Sequence, residues 1–193
     1  MAVDHTETTS ATPNRVEEPK QWYVMRDLKP RNAKNPAYKV IDELGLRYFT
    51  PMHWVVINGK NGKKERVHIP VIQDLLFIYE SRDVLDPVVE TTQKLQYRFK
   101  RGAGPQAVIT IPQSDMERFI RAVGSDKTPI YYTPAELTPE MIGKEIIVKG
   151  GPMDGYQGKL LKMQGSKKRR LIVELKGFLA AAVEVNPDYI QLL

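Results

Sequence analysis

The C-terminal part of the chain, residues 140–193, is divided by glycine turns into short apolar runs. Turn signals fall at 150–152, where two glycines precede a proline, and again at Gly165. Along 171–176 the apolar residues alternate as they do in a half-buried strand. Five short strands of this kind would close into a small β-barrel, because closure removes exposed strand edges.

The N-terminal part alternates predicted strands with helices. Residues 22–26 form an aromatic and apolar run that is long enough for a buried strand. Asn35 and Pro36 are typical of a helix N-terminus, and Gly45 is typical of a helix end. The turn signal at 58–62 predicts a hairpin. The other runs that predict strands are 48–57, 66–71, 75–79, 97–100 and 107–110.

The clearest helical pattern begins at Ser114, which together with Glu117 predicts a capping box. Gly124 is expected to end this helix. Residues 81–95 also have helical spacing, but Pro87 argues against a regular helix unless it lies in the first turn. Few helices among many strands predict an α+β fold. We expect an antiparallel sheet with flanking helices, followed by the five-stranded barrel.

Four segments are predicted along the chain. Residues 1–19 are poor in large apolar side chains and are expected to form a flexible tail. Residues 20–125 form the domain with the flanked sheet, and residues 140–193 form the barrel. Between them, residues 126–139 contain three prolines and predict a semi-rigid linker.

The composition argues against catalysis. The chain has no cysteine, which excludes disulfides, thiol chemistry and cysteine-based zinc sites. His5, His53 and His68 lack the spacing of metal ligands, and the carboxylates show no pairing for acid–base work. We therefore expect a protein that is not an enzyme and that holds no cofactor or metal.

Charge and hydropathy bear on location and partners. Apolar stretches fall short of the roughly 20 residues that span a bilayer, and the N-terminal segment lacks the apolar core of a signal peptide. A cytoplasmic protein without membrane contact is expected. The net charge of +6 permits contact with nucleic acid or with acidic protein surfaces.

Residues 143–158 resemble a KOW motif, in which a strand enters a glycine-proline turn and a glycine begins the return strand. Gly150, Gly151 and Pro152 supply the turn here, and Gly158 begins the return. Glycine suits such a tight loop because it accepts a positive φ. Ribosomal proteins carry this motif as well as transcription factors.

The N-terminal part resembles the N-terminal domain of the NusG family. The matching stretches are the strand opened by 22–24, the Phe-Thr-Pro at 49–51, the central apolar strand at 74–78, and the closing strand and helix at 109–120. Both domains follow in the family's order over residues 20–193. General NusG proteins have a Pro-Gly turn where this chain reads Ile72-Gln73-Asp74.

Within that family the chain is most similar to UpxY-like factors, the specialised paralogues of capsular polysaccharide operons. The resemblance rests on Phe-Thr-Pro-Met at 49–52 before a basic hairpin, on 119–124 before a linker with tyrosines, and on 173–177 before an alanine-rich strand.

The resemblance implies that a hydrophobic patch on the N-terminal sheet binds the clamp helices of RNA polymerase. The matching residues are Tyr23, Phe49, Met52, Trp54, Leu76 and Phe77. Each is equally consistent with a place in the core. In the KOW loop, Met153 and Tyr156 match positions that dock partner proteins, although the same side chains could pack on the end of the barrel.

Two basic clusters are candidate nucleic-acid contacts. The first lies in the predicted hairpin and comprises Lys60, Lys63, Lys64 and Arg66. The second lies in a turn of the predicted barrel and comprises Lys167, Lys168, Arg169 and Arg170. Solvated turns explain both clusters equally well.

The implied function is that of a monomeric transcription elongation and antitermination factor, which suppresses pausing or termination on RNA polymerase. Nascent RNA, non-template DNA, the ribosome and the termination factor Rho are the further partners that the family suggests. A ribosome-associated or RNA-binding KOW protein is one alternative, and a general NusG that cooperates with Rho is the other. The strict alternation at 171–176 favours a stable barrel over the helical hairpin of one paralogue type.

Overall fold

The computed structural model describes residues 18–30, 33–59, 62–102 and 107–193. The tail predicted at 1–19 lies outside these residues except for its last two, and Lys60 also lies outside. The described helices are α1 (Ala37–Glu43), α2 (Arg82–Thr91) and α3 (Gln113–Gly124). None of them is long and apolar enough to cross a membrane.

The strands divide into an N-terminal and a C-terminal group. The N-terminal strands are β1 (Gln21–Asp27), β2 (Arg47–Phe49), β3 (Met52–Asn58), β4 (Lys64–Pro70), β5 (Leu76–Glu80), β6 (Leu95–Tyr97) and β7 (Thr110–Ile111). The C-terminal strands are β8 (Ile130–Tyr132), β9 (Ile142–Val148), β10 (Gln157–Leu161), β11 (Arg169–Leu175), β12 (Leu179–Val185) and β13 (Ile190–Leu192).

The N-terminal sheet is antiparallel, with the order β2-β5-β1-β6, and β7 also pairs with β1. Strands β3 and β4 form a separate two-stranded hairpin. Helices α1 and α2 cover one face of the sheet, and α3 lies against the other. This arrangement confirms the predicted α+β class with an antiparallel sheet and flanking helices.

Residues 140–193 form the five strands predicted for them, and the C-terminal sheet gains a sixth strand that was not predicted. The order of this sheet is β13-β9-β10-β11-β12-β8. The extra strand, β8, comes from the segment predicted as a linker and pairs with β12, where Tyr132 faces Ala180 and Ile130 faces Ala182. The run Ile-Tyr-Tyr has high strand propensity, and edge pairing lets it bury part of its apolar surface.

Two helix starts differ from the sequence prediction. Asn35 does not cap α1. The Asp27 carboxylate of β1 accepts a hydrogen bond from the Ala37 amide at 2.6 Å instead. Ser114 lies inside α3, whose N-cap is Pro112, so the predicted capping box is absent. Pro87 lies within α2, beyond its first turn, and the helix continues past it to Thr91.

The largest hydrophobic core joins the two sheets. It contains Trp22 and Phe77 of the N-terminal sheet, Phe119 of α3, and Leu171 and Leu179 of the C-terminal sheet. A smaller cluster lies on the opposite face of β11 and β12 and includes Ile172, Ala180 and Ala182. The C-terminal sheet therefore packs against the same face of the N-terminal sheet as α3, on the part that α3 leaves uncovered.

Candidate functional site

The residues predicted to contact polymerase fall on two faces of the N-terminal sheet and on the hairpin. Tyr23 and Leu76 point toward α1 and α2, and each is 2% exposed. The Tyr23 ring lies edge-on to Tyr97, with 5.7 Å between centroids. These two side chains form the core beneath the helices, so they offer no surface to a partner.

Phe49 and Phe77 lie on the opposite face, which packs against α3 and the C-terminal sheet. The Phe49 ring lies 6.2 Å from Phe77 and 5.9 Å, edge-on, from Phe119. Phe77 is fully buried, whereas Phe49 is half-buried. An aromatic face of this kind matches the predicted patch, but it is covered in this conformation.

Phe178 provides part of the cover. Its ring lies edge-on to Phe77 with a centroid distance of 6.4 Å. Phe178 occupies the tight turn between β11 and β12, where its amide donates to the Leu175 carbonyl at 3.0 Å and Gly177 has a φ of +84°. That φ favours glycine, which sets the turn and aims the neighbouring ring at the sheet.

The loop that holds Met153 and Tyr156 also faces the N-terminal part of the chain, at α3. Met153 and Tyr156 are 3% and 5% exposed. The Tyr156 hydroxyl donates to the Arg118 carbonyl of α3 at 2.9 Å. In return, the Arg118 guanidinium lies 4.9 Å from the Tyr156 ring centroid and donates to the Gln157 carbonyl at 3.0 Å. The predicted docking loop is thus occupied by α3 of the same chain.

A buried ion pair fixes the segment that follows α3. The Arg170 Nη1 lies 2.8 Å from the Asp126 Oδ2, and the two side chains are 7% and 5% exposed. Arg170 also donates to the carbonyls of Thr128 and Ala182, each at 3.2 Å. The Glu184 amide donates to Asp126 at 2.8 Å. Arg170 is therefore enclosed, so its guanidinium is not exposed for contact with nucleic acid as predicted.

Electrostatics keep Asp126 ionised. Burial acts to raise the pKa of its carboxyl, but the amides of Thr128 and Glu184 and the Arg170 guanidinium outweigh that effect and lower it. The pair therefore remains charged at neutral pH and connects β11 to the start of the segment predicted as a linker.

The remaining basic residues of the predicted clusters are exposed. Lys167, Lys168 and Arg169 lie at the surface, and the Lys168 Nζ lies 2.6 Å from the Glu184 Oε2. Lys63 and Lys64 are exposed near the tip of the β3–β4 hairpin. Such positions are open to phosphate but are equally typical of solvated turns.

The β3–β4 hairpin carries the other two predicted polymerase contacts. Met52 is half-buried at its base, whereas Trp54 is 56% exposed. The Trp54 ring stacks on His68 with 4.6 Å between centroids and an angle of 20° between the planes. The Arg66 guanidinium lies 4.9 Å from the indole centroid. This set is an ordered aromatic and cationic surface.

Sequence reasoning missed Phe178, Arg118 and Asp126. Phe178 had a local signal, because it is an aromatic residue directly after a turn glycine between two apolar runs. Arg118 and Asp126 had none, since their partners lie 38 and 44 residues away along the chain. Among the residues that the structure describes, no group of histidine and acidic side chains could hold a metal ion.

Comparisons with known proteins add one structural likeness. No protein-family model matches the chain, and no curated protein matches it. Among the solved structures that it matches is one described as "Domain interaction in Thermotoga maritima NusG". The two share 14% identity at a TM-score of 0.46, and the match covers 89% of this chain and 96% of that one. At these values the likeness does not assign the chain to a family.

Proposed function

We propose that this chain is a transcription elongation factor of the NusG type, acting in the cytoplasm on RNA polymerase. The support is the resemblance of residues 20–193 to that family in motif content and order, together with the aromatic face built by Phe49, Phe77 and Phe119. A shallow aromatic surface of this kind suits a helix of a partner.

The observation that carries the proposal is that both surfaces predicted for partners are covered, each by the other part of the same chain. The sheet face with Phe49 and Phe77 packs against Phe178, and the loop with Met153 and Tyr156 packs against α3. Neither surface is free while the two domains stay packed. Under the proposal, polymerase binds the Phe49 and Phe77 face only after the C-terminal domain has moved away.

Competition follows from this geometry. Polymerase and the C-terminal domain would use the same face. The apparent affinity for polymerase is then the intrinsic affinity multiplied by the fraction of molecules in which the two domains are apart. The bound factor can in turn shift polymerase toward its processive state only by the difference in its affinity for the two states. The mechanism is binding, without a chemical step.

The finer assignment is to the UpxY-like subgroup, with a role in suppressing pausing or termination across long operons for surface polysaccharide. The basic hairpin after residue 52 and the alanine-rich strand β12 support it by resemblance. A run of polysaccharide genes next to the coding gene would support this assignment, and its absence would count against it.

Two assays test the polymerase proposal. Purified RNA polymerase core enzyme should retain the full chain in a pull-down, and run-off transcription should yield longer transcripts in its presence. Phe178→Ala should increase retention because it weakens the cover over Phe77. Phe99→Ala is the matched control, since Phe99 is 48% exposed and pairs across to Val108. If neither the wild-type chain nor Phe178→Ala binds polymerase, the proposal is wrong.

The exposed turn at 167–169 favours one alternative, an RNA-binding KOW protein. That function predicts tight binding to structured RNA without polymerase, weakened steeply by salt because phosphate contacts release counterions. Replacement of Lys167 and Arg169 by Gln should then reduce RNA binding and leave polymerase retention unchanged. A general NusG activity would instead shorten transcripts when Rho is present.

A further inference from the structure

Strand β12 has a different neighbour on each edge. All seven of its residues, Leu179–Val185, pair with β11 on one edge. On the other edge, β8 pairs with the three residues Ala180, Ala181 and Ala182. The edge that faces β8 is therefore only partly occupied, and the backbone groups along a strand edge are suited to pairing with another strand.

The alanines of β12 give this edge a shape that suits large side chains. Ala180 lies opposite Tyr132, and Ala182 lies opposite Ile130. All four side chains belong to one small cluster on this face of the sheet. Small residues opposite large ones leave room for the large side chains to pack across the strand pair. Tyr132 and Ile130 nevertheless stay half-buried, so β8 does not fill the site completely.

Beyond Ala182, side-chain contacts replace the pairing of strands. The Glu184 amide of β12 donates to the Asp126 carboxylate at 2.8 Å. The Thr128 carbonyl accepts from the Arg170 guanidinium at 3.2 Å. Because Arg170 is enclosed and takes its counter-charge from Asp126, a strand that replaced this segment would have to bring a carboxylate of its own.

We propose that the β8-facing edge of β12 is a binding site for an extended strand of a partner protein, and that β8 is an internal strand that blocks it. The partner strand carries an aspartate or glutamate for Arg170, followed by large apolar side chains that lie opposite the alanines. Since β8 belongs to the same chain, it competes at high effective concentration. A partner displaces it by pairing with more of β12 than the three residues that β8 uses.

The site does not depend on polymerase binding, so its test uses the full chain without polymerase. The probe is a fluorescently labelled peptide with the sequence of residues 124–134, and anisotropy measures its affinity. The wild type should bind this peptide weakly because its own β8 fills the site. The chain with Ile130→Ala and Tyr132→Ala should bind it about tenfold more tightly, since the internal strand has lost apolar contacts. Leu192→Ala, at an exposed residue of the other edge strand β13, should bind like the wild type.

Variants of the peptide test the chemistry of the partner strand. Asp126→Asn in the peptide should weaken binding about 10- to 100-fold, the usual effect of losing a hydrogen bond to a charged group. Tyr132→Pro should abolish binding. Amides alternate in direction along a strand, so Ala180 points to the same edge as Glu184, and the opposite Tyr132 amide pairs with it. Equal binding of the three peptides would overturn the proposal.

A reversible crosslink provides a second test that keeps the strand in its folded position. The chain has no cysteine, so Tyr131→Cys and Ala181→Cys introduce a single pair at facing positions. Facing residues that do not share hydrogen bonds lie about 4.5 Å apart at Cα, within the range of a disulfide. The oxidised chain should not bind the peptide, and reduction should restore binding. Equal affinity before and after reduction, or no gain of affinity in the chain with Ile130→Ala and Tyr132→Ala, would overturn the strand-exchange site.

Discussion

The rings of Phe178 and Phe77 meet edge-on at a centroid distance of 6.4 Å and join two sheets through one hydrophobic core. Phe178 comes from the turn between β11 and β12, and Phe77 comes from β5 in the N-terminal sheet. Both side chains belong to the same hydrophobic cluster, so weakening their contact should make it easier for the two domains to separate.

Phe178→Ala should lower the free energy of unfolding by about 2 kcal/mol, below the roughly 3–5 kcal/mol typical of a fully buried phenylalanine. Phe178 is only partly buried, which reduces the loss. The variant should also have a larger radius of gyration in small-angle X-ray scattering, because the cover over Phe77 is weakened. Unchanged scattering together with unchanged urea unfolding would contradict the contact.

Tyr156→Phe should destabilise the protein by about 1 kcal/mol. The substitution removes the hydroxyl that donates to the Arg118 carbonyl at 2.9 Å, and it leaves the ring under the Arg118 guanidinium. Urea unfolding measures the change. Tyr189→Phe is the control, since Tyr189 is 39% exposed, and its effect should stay within about 0.5 kcal/mol.

Asp126→Asn should cost about 3 kcal/mol or more, because it leaves the enclosed Arg170 guanidinium without a counter-charge. A surface pair provides the comparison. Lys168→Ala removes an ion pair whose side chains are 55% and 40% exposed, and its effect should be below about 1 kcal/mol. Similar losses of unfolding free energy in Asp126→Asn and Lys168→Ala would show that the Asp126–Arg170 pair is not isolated from solvent.

The same pair predicts a pH dependence. The folded-state pKa of Asp126 is lowered from its ordinary value of 3.8. A carboxyl with a lowered folded pKa contributes stability above its unfolded pKa, and that contribution is lost as the pH falls through the folded pKa. Urea unfolding from neutral to acid pH should therefore show a difference in the free energy of unfolding between wild type and Asp126→Asn that narrows below pH 3.8. A constant difference would exclude this linkage.

Asp27→Ala should destabilise α1. The Asp27 carboxylate accepts from the amides of Ala37 at 2.6 Å and Lys29 at 3.0 Å, and the residue is 7% exposed. Loss of a side-chain cap costs about 1–2 kcal/mol. Hydrogen exchange should show faster exchange of the Ala37 amide. Asn35→Ala should have little effect, since Asn35 does not cap this helix.

Local patterns predicted most strands and helices, but interactions distant in sequence decided the details. Residues 22–26 and 76–79 lie in strands because their apolar runs are long enough to be buried. The cap of α1 could not be predicted, since Asp27 precedes Ala37 by ten residues. Helix α3 begins at Gln113 with Pro112 as its N-cap, so Ser114 lies inside the helix and cannot cap it.

The candidate site was predicted in its residue types but not in its exposure. Periodicity places Phe77 and Leu76 on opposite faces of β5, yet it does not say which face a second domain covers. The same limit applies to Ile172, which lies on the opposite face of β11 from Leu171 and Val173 and is 6% exposed in the cluster against which Leu137 and Met141 pack. Strand β8 is the element that changed this environment.

The pairing of β8 with β12 also determines how far the two domains could part. The Asp126–Arg170 ion pair and β8 attach the chain to the C-terminal sheet almost immediately after α3 ends at Gly124. The only residue between the end of α3 and the attached Asp126 is then Ser125. An opened C-terminal domain would swing about this pivot at high effective concentration, so it would close again rapidly once a partner leaves.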